Sequence, residues 1–143
     1  MSTRRRANER QGEAAGKIIA AEVNGEHVPG ESYWYDVVTP NGTKIEVKST
    51  HTELDDGSEG RFRLWEDQHT SLTSAEASGT AWYAFVLFST DDEVVGIQRR
   101  KPSTVTRIVR EIALEDGEPW SVAKHREREA RQKKVPWSEV MSI

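Results

Sequence analysis

The sequence predicts an α/β domain with a mixed β-sheet and helices on both faces, and three observations predict it. Residues 33–39 and 43–50 are rich in β-branched and aromatic side chains and are joined by Pro40-Asn41-Gly42. Residues 81–89 are almost wholly apolar, as a strand covered on both faces must be. Stretches with helical spacing of apolar residues lie on either side of these segments.

The elements follow in order. Residues 7–22 read as a helix with Ala14, Ala15, Ile18 and Ile19 on one stripe, and Asn24-Gly25 ends it. Two strands follow, over 33–39 and 43–50. Residues 53–60 form an acidic loop. In residues 61–64, Phe62 and Leu64 alternate with Arg61 and Arg63, which suits a short third strand. Residues 65–77 read as a helix that stops near Ser78-Gly79. The apolar strand comes next, then an Asp91-Asp92 turn and a fifth strand over 94–99. Ser103 or Thr104 can cap a helix to about Leu114, with Val105, Ile108, Val109 and Ile112 facing inward. A last, highly charged helix is expected over 121–134, stopped by Pro136. Helix, three strands, helix, two strands and two helices describe an α/β sheet flanked by helices.

The 143 residues suit a single domain, with a core over about 7–99 and a helical, basic extension over 100–143. No run of about 18 apolar residues is present, so no membrane span is expected. The first residues, Met-Ser-Thr-Arg-Arg-Arg, carry no secretory h-region. The absence of cysteine excludes disulfides, cysteine zinc sites and thiol nucleophiles, and it fits a cytoplasmic protein.

The hairpin turn decides which side chains meet. Pro40-Asn41-Gly42 suits a three-residue loop, with Gly42 at the left-handed bulge position. That loop pairs Thr39 with Thr43, so Asp36 faces Glu46 and Lys48 lies along the same face, opposite Trp34. Tyr33, Tyr35, Val37, Ile45 and Val47 take the other face and look into the core. A two-residue Asn-Gly loop would put the two acids on opposite faces and mix polar with apolar residues on each. Opposed carboxylates repel across a strand pair. A divalent cation relieves the repulsion, and Mg²⁺ takes one or two carboxylates together with water and phosphate oxygens. Two acids and a lysine on one face suit phosphodiester hydrolysis. They also suit a plain cross-strand ion network on an exposed sheet.

Asp36, nine residues, then Glu46-Val47-Lys48 resembles the motif of the PD-(D/E)xK, restriction-endonuclease-like nuclease superfamily. The element order of residues 7–99 is similar to that family's core. Gly12-Glu13-Ala14-Ala15 resembles its first-helix acid, an element also seen in archaeal Holliday-junction resolvases, with Glu9 the other candidate. Gln68 resembles the polar residue that follows the motif. Tyr35 stands where the motif's proline would be. The resemblance implies Mg²⁺ or Mn²⁺ held by Asp36, Glu46, the Val47 carbonyl and Glu13. It implies Lys48 positioning or activating the attacking water, and Gln68 orienting that water or a phosphate.

Charge is distributed unevenly. Residues 1–17 carry five basic and two acidic side chains, residues 18–97 four and fifteen, and residues 98–143 eleven and seven. A solvated surface with charged ends is one reading. An acidic cation pocket flanked by phosphate-seeking arms is the other. On the second reading Arg4, Arg5, Arg6, Arg99, Arg100, Lys101, Lys124, Arg128 and Arg131 contact nucleic acid. His51 and His69 read as solvated polar residues, and Tyr33, Trp82, Tyr83, Phe85 and Phe88 as core. DNA is the expected substrate, and a homodimer would supply two sites for symmetric cutting. The alternative is a non-catalytic nucleic-acid-binding or assembly module on the same fold.

Overall fold

The computed structural model describes residues 3–122 and 130–142. Helix α1 (Thr3–Glu22) leads into β1 (Glu26–His27), β2 (Val37–Val38), β3 (Lys44–His51) and β4 (Arg61–Trp65). Helix α2 (Glu66–Glu76), β5 (Ala81–Phe88), β6 (Val94–Arg100) and α3 (Pro102–Asp116) follow. The chain closes with β7 (Ser121–Val122), β8 (Arg131–Pro136) and the short α4 (Trp137–Val140). No helix among the described residues is long and apolar enough to cross a membrane.

A mixed five-stranded sheet runs in the order β1-β2-β3-β5-β6. β3 is its middle strand, antiparallel to β2 and parallel to β5 along all eight of its residues. The hairpin takes the expected register, with Val37 opposite Ile45 and Val38 opposite Lys44. Gly42 has φ 86°, the left-handed turn position that glycine adopts without steric cost. The antiparallel pairing stops at Val37, because the chain bends at Asp36. Residues 33–36 therefore do not continue the expected strand, and Tyr33 is 57% exposed rather than part of the core.

β4 does not join this sheet. It pairs with β8 in a second, three-stranded sheet of order β4-β8-β7. Gly60 allows the switch, since a Cβ there would stand 1.7 Å from the His51 carbonyl oxygen. Arg131–Pro136 is thus a strand where a helix over 121–134 was expected. Its Lys133 and Val135 are buried, and alternation fits a sheet with one covered face. Tertiary pairing with β4 outweighs the helical leaning of a charged segment.

The two faces of the large sheet carry separate cores. On one face Ala15, Ile19 and Ala20 of α1 pack on Val37, Ile45, Ala84, Val86 and Phe88. On the other, Tyr83, Phe85 and Leu87 meet Phe62, Leu64, Leu72, Val105, Val109 and Val135. Val140 and Met141 complete that second core. The α1 stripe is turned by about one residue from the expected one: Ala14 is exposed and Ala20 buried.

Candidate active site

Strand alternation places Glu46 and Lys48 on the face opposite α1. They stand beside Tyr83 and Phe85 in the β3–β5 register. Asp36 reaches the same place from the end of β2. Its Oδ2 accepts a hydrogen bond from the Val47 amide at 3.0 Å. The side chain occupies the acceptor position that a continuing strand's carbonyl would have filled. In an extended strand the N–H and C=O of one residue point to the same edge, so the Val47 carbonyl is directed toward this gap as well.

Glu46 is 4% exposed. Burial pushes its carboxyl well above the ordinary range, against the pull of the Lys48 ammonium. A hydrogen bond with the Asp36 carboxyl, and that group's charge, raise it further. Lys48 Nζ lies 3.3 Å from Glu46 Oε2 and donates to Gln68 Oε1 at 2.8 Å. Gln68, in the first turn of α2, donates its Nε2 to the Tyr33 carbonyl at 2.8 Å. That second bond fixes the amide so that its oxygen faces Lys48. Four residues from three elements therefore converge. Two acids against one ammonium leave one positive charge to be supplied, either by the proton that Glu46 and Asp36 share or by a cation that displaces it.

The structure does not bring Glu13 into this group. Glu13 is exposed and pairs with Lys17 at 3.3 Å, one helical turn away. The cause is the face of the sheet: α1 packs through Ala15 and Ile19 on the side opposite Glu46, and on the helix itself position 13 points outward. Glu9 is exposed too. Gln11 meets the sheet instead, accepting from Ser49 Oγ at 3.2 Å and bonding the His51 ring at 2.9 Å. Both partners lie on the α1 face, away from Glu46. Among the described residues, no three His, Cys, Asp or Glu side chains converge as a cation site. The donor set still fits a hard cation: two touching carboxylates, one of them buried, beside an outward-facing carbonyl.

The expected basic residues separate into distinct roles. Arg99 and Lys101 both sit over the Trp82 ring, at 5.7 Å, on the α1 side of the sheet. Arg100 donates to the Val140 carbonyl at 3.0 Å and ties down the C-terminal segment. Arg131 grips Glu66 through two bonds, of 2.7 and 2.6 Å. Arg4, Arg5 and Arg6 fall in the first turns of α1, and Lys124 and Arg128 lie outside the described residues.

Both histidines depart from the solvated reading. His51 bonds Asp92 at 2.6 Å and is half-buried. His69 is buried between the Tyr83 hydroxyl, at 2.8 Å, and Thr106 Oγ1, at 2.7 Å. Burial pushes its imidazole down to about 4, with the charges of Glu76 and Glu66 opposing. The Tyr33 carbonyl is a site group that the sequence does not reveal, because a backbone acceptor leaves no residue-type signal.

The mixed sheet flanked by helices, with an acid at the end of one strand and Glu-x-Lys on the next, defines a restriction-endonuclease-like α/β fold. A family model described as a PD-(D/E)XK nuclease superfamily domain matches residues 1–142. The chain belongs to that superfamily. Among curated proteins nothing matches it.

Proposed function

We propose that this protein is a metal-dependent endodeoxyribonuclease that hydrolyses DNA phosphodiester bonds with Mg²⁺ or Mn²⁺. The observation that carries the reading is the convergence of Asp36, Glu46, Lys48 and Gln68, with one positive charge lacking. Asp36 and Glu46 would hold the cation, helped by the Val47 carbonyl. The bound cation would supply Lewis acidity toward a phosphoryl oxygen and lower the cost of forming a hydroxide nucleophile.

The remaining steps belong to the chain's own groups. Lys48 Nζ, already a donor to Gln68, would orient the attacking water and stabilise charge that develops on the phosphorane oxygens. Gln68 holds the ammonium against free rotation, which limits the orientation it must lose in the transition state. Tyr83 and Phe85, the buried β5 neighbours of Glu46 and Lys48, would bound the site on the side of β5. A homodimer would present two such sites to a duplex.

The test is cleavage of linear, branched and single-stranded DNA in Mg²⁺ or Mn²⁺, for the wild type and for Asp36→Ala and Lys48→Ala. Cation-dependent cutting by the wild type, lost in both variants, is the expected result. No cutting of any substrate, or equal cutting by the variants, would leave a binding or assembly module as the better reading.

A further inference from the structure

The second sheet carries a cationic face that the site does not use. Phe62 and Leu64 of β4 and Val135 of β8 point into the core, so alternation sends Arg61, Arg63 and Lys134 outward. Arg63 and Lys134 are direct cross-strand partners, and Arg61 follows two residues along, opposite Pro136. All three are exposed. Like charges placed directly opposite each other destabilise a strand pair.

The other basic residues of β8 are neutralised within the chain. Arg131 is paired with Glu66, and Lys133 with Asp116 and the Glu118 carbonyl. Arg61, Arg63 and Lys134 form no such ion pair among the described residues; the loop acid Asp56 feels the Arg61 charge without bonding it. Partial burial, then the charges of Arg63 and Arg61, hold the Lys134 ammonium below its ordinary value.

We propose that the outer face of the β4–β8 pair, through Arg61, Arg63 and Lys134, docks the phosphate backbone of a DNA duplex. The polyanion would neutralise the repulsion that the fold leaves uncompensated. The position suits a flank of the substrate. From Arg63 the chain runs two strand residues and one helical turn to Gln68, a path on the order of 10 Å. This inference rests on the nuclease reading for its choice of DNA, and its test is separable from that reading.

The experiment is fluorescence anisotropy of a labelled DNA duplex in chelator, where no cutting occurs, over a series of salt concentrations. Arg63→Gln/Lys134→Gln should bind at least about ten-fold more weakly. Its slope of log affinity against log salt should fall by about two units, one per lost phosphate contact. The variant should melt no lower than the wild type, because a repulsive pair has been removed. Arg107→Gln/Arg110→Gln, exposed on α3, removes the same charge elsewhere and should keep the wild-type slope. Lys134→Gln alone, with about half the slope change, serves if the double variant does not fold.

Wild-type slope in the patch variants, an equal loss in the α3 control, no binding by the wild type, or tighter binding of an RNA duplex would each overturn the proposal. Cleavage is measured separately with Mg²⁺. Patch-dependent binding without cutting sinks the nuclease reading and spares this one; cutting with patch-independent binding does the reverse.

Discussion

The Asp36 carboxylate accepts the Val47 amide at 3.0 Å, just where the β2 backbone turns away from β3. One side chain thus finishes a strand pair and begins the candidate site. The two roles can be parted by mutation. Asp36→Asn keeps an oxygen for the amide but loses the charge. It should melt within about 2 °C of wild type and lose cleavage by about 100-fold or more. Asp36→Ala should also leave the Val47 amide unpaired, at a cost of about 1–3 kcal/mol. Urea midpoints together with Mn²⁺ calorimetry check this; equal destabilisation by both variants would show that the amide bond contributes nothing.

The charge imbalance gives opposite expectations for two neighbours. Glu46→Gln leaves Asp36 and Lys48 balanced, so in chelator it should be at least as stable as wild type, by up to about 1 kcal/mol. Lys48→Met leaves two touching carboxylates without a cation, and it should melt several degrees lower. Saturating Mg²⁺ at about 100 times its dissociation constant should return about 2.7 kcal/mol to any form that binds it. That gain is expected for wild type and Lys48→Met but not for Glu46→Gln. Thermal melts with and without Mg²⁺ decide the point, and an unchanged Lys48→Met melting temperature in chelator would contradict the imbalance.

How much of this was legible in sequence depended on the range of the interactions. The register that sets Asp36 against Glu46 follows from a local signal, the Pro40-Asn41-Gly42 turn, and from keeping Val37 and Ile45 on one face. Gln68 was picked out only by the resemblance to the nuclease superfamily, and the structure sets its side chain against Lys48 at 2.8 Å. The strand at Arg131–Pro136 was not legible. Its partner β4 lies some 70 residues earlier, as in Phe62 opposite Val135, and nothing in Arg-Gln-Lys-Lys favours extension over helix. Glu13 rested on the resemblance alone, and which face of the sheet α1 covers, the one away from Glu46, is a tertiary choice that no local signal in residues 7–22 carries. The cationic face of Arg61, Arg63 and Lys134 was hidden for the same reason as β8. It exists only once the two strands meet.

Gln68 bridges Lys48 and the Tyr33 carbonyl, and its contribution should appear in the chemical step more than in binding. Gln68→Ala frees the ammonium and loosens residues 33–36. We expect single-turnover cleavage to slow by about 10- to 100-fold. Affinity for the same duplex in chelator should stay within about two-fold. A fall confined to affinity would assign Gln68 to DNA contact rather than to holding Lys48.

His69 makes the fold acid-sensitive. The folded protein keeps this imidazole neutral down to about 4, whereas its ordinary value is 6.5. Between those values the unfolded chain binds a proton that the folded one does not, so stability rises with pH across the window and is lost as pH falls through it. The difference corresponds to about 3 kcal/mol between about pH 7 and pH 4. His69→Gln retains groups that can bond the Tyr83 hydroxyl and Thr106 but does not titrate. Urea unfolding at the two pH values should show the wild type losing about 3 kcal/mol more than the variant. If both lose the same amount, the buried imidazole is not the group that titrates, and the acid sensitivity of the fold lies elsewhere.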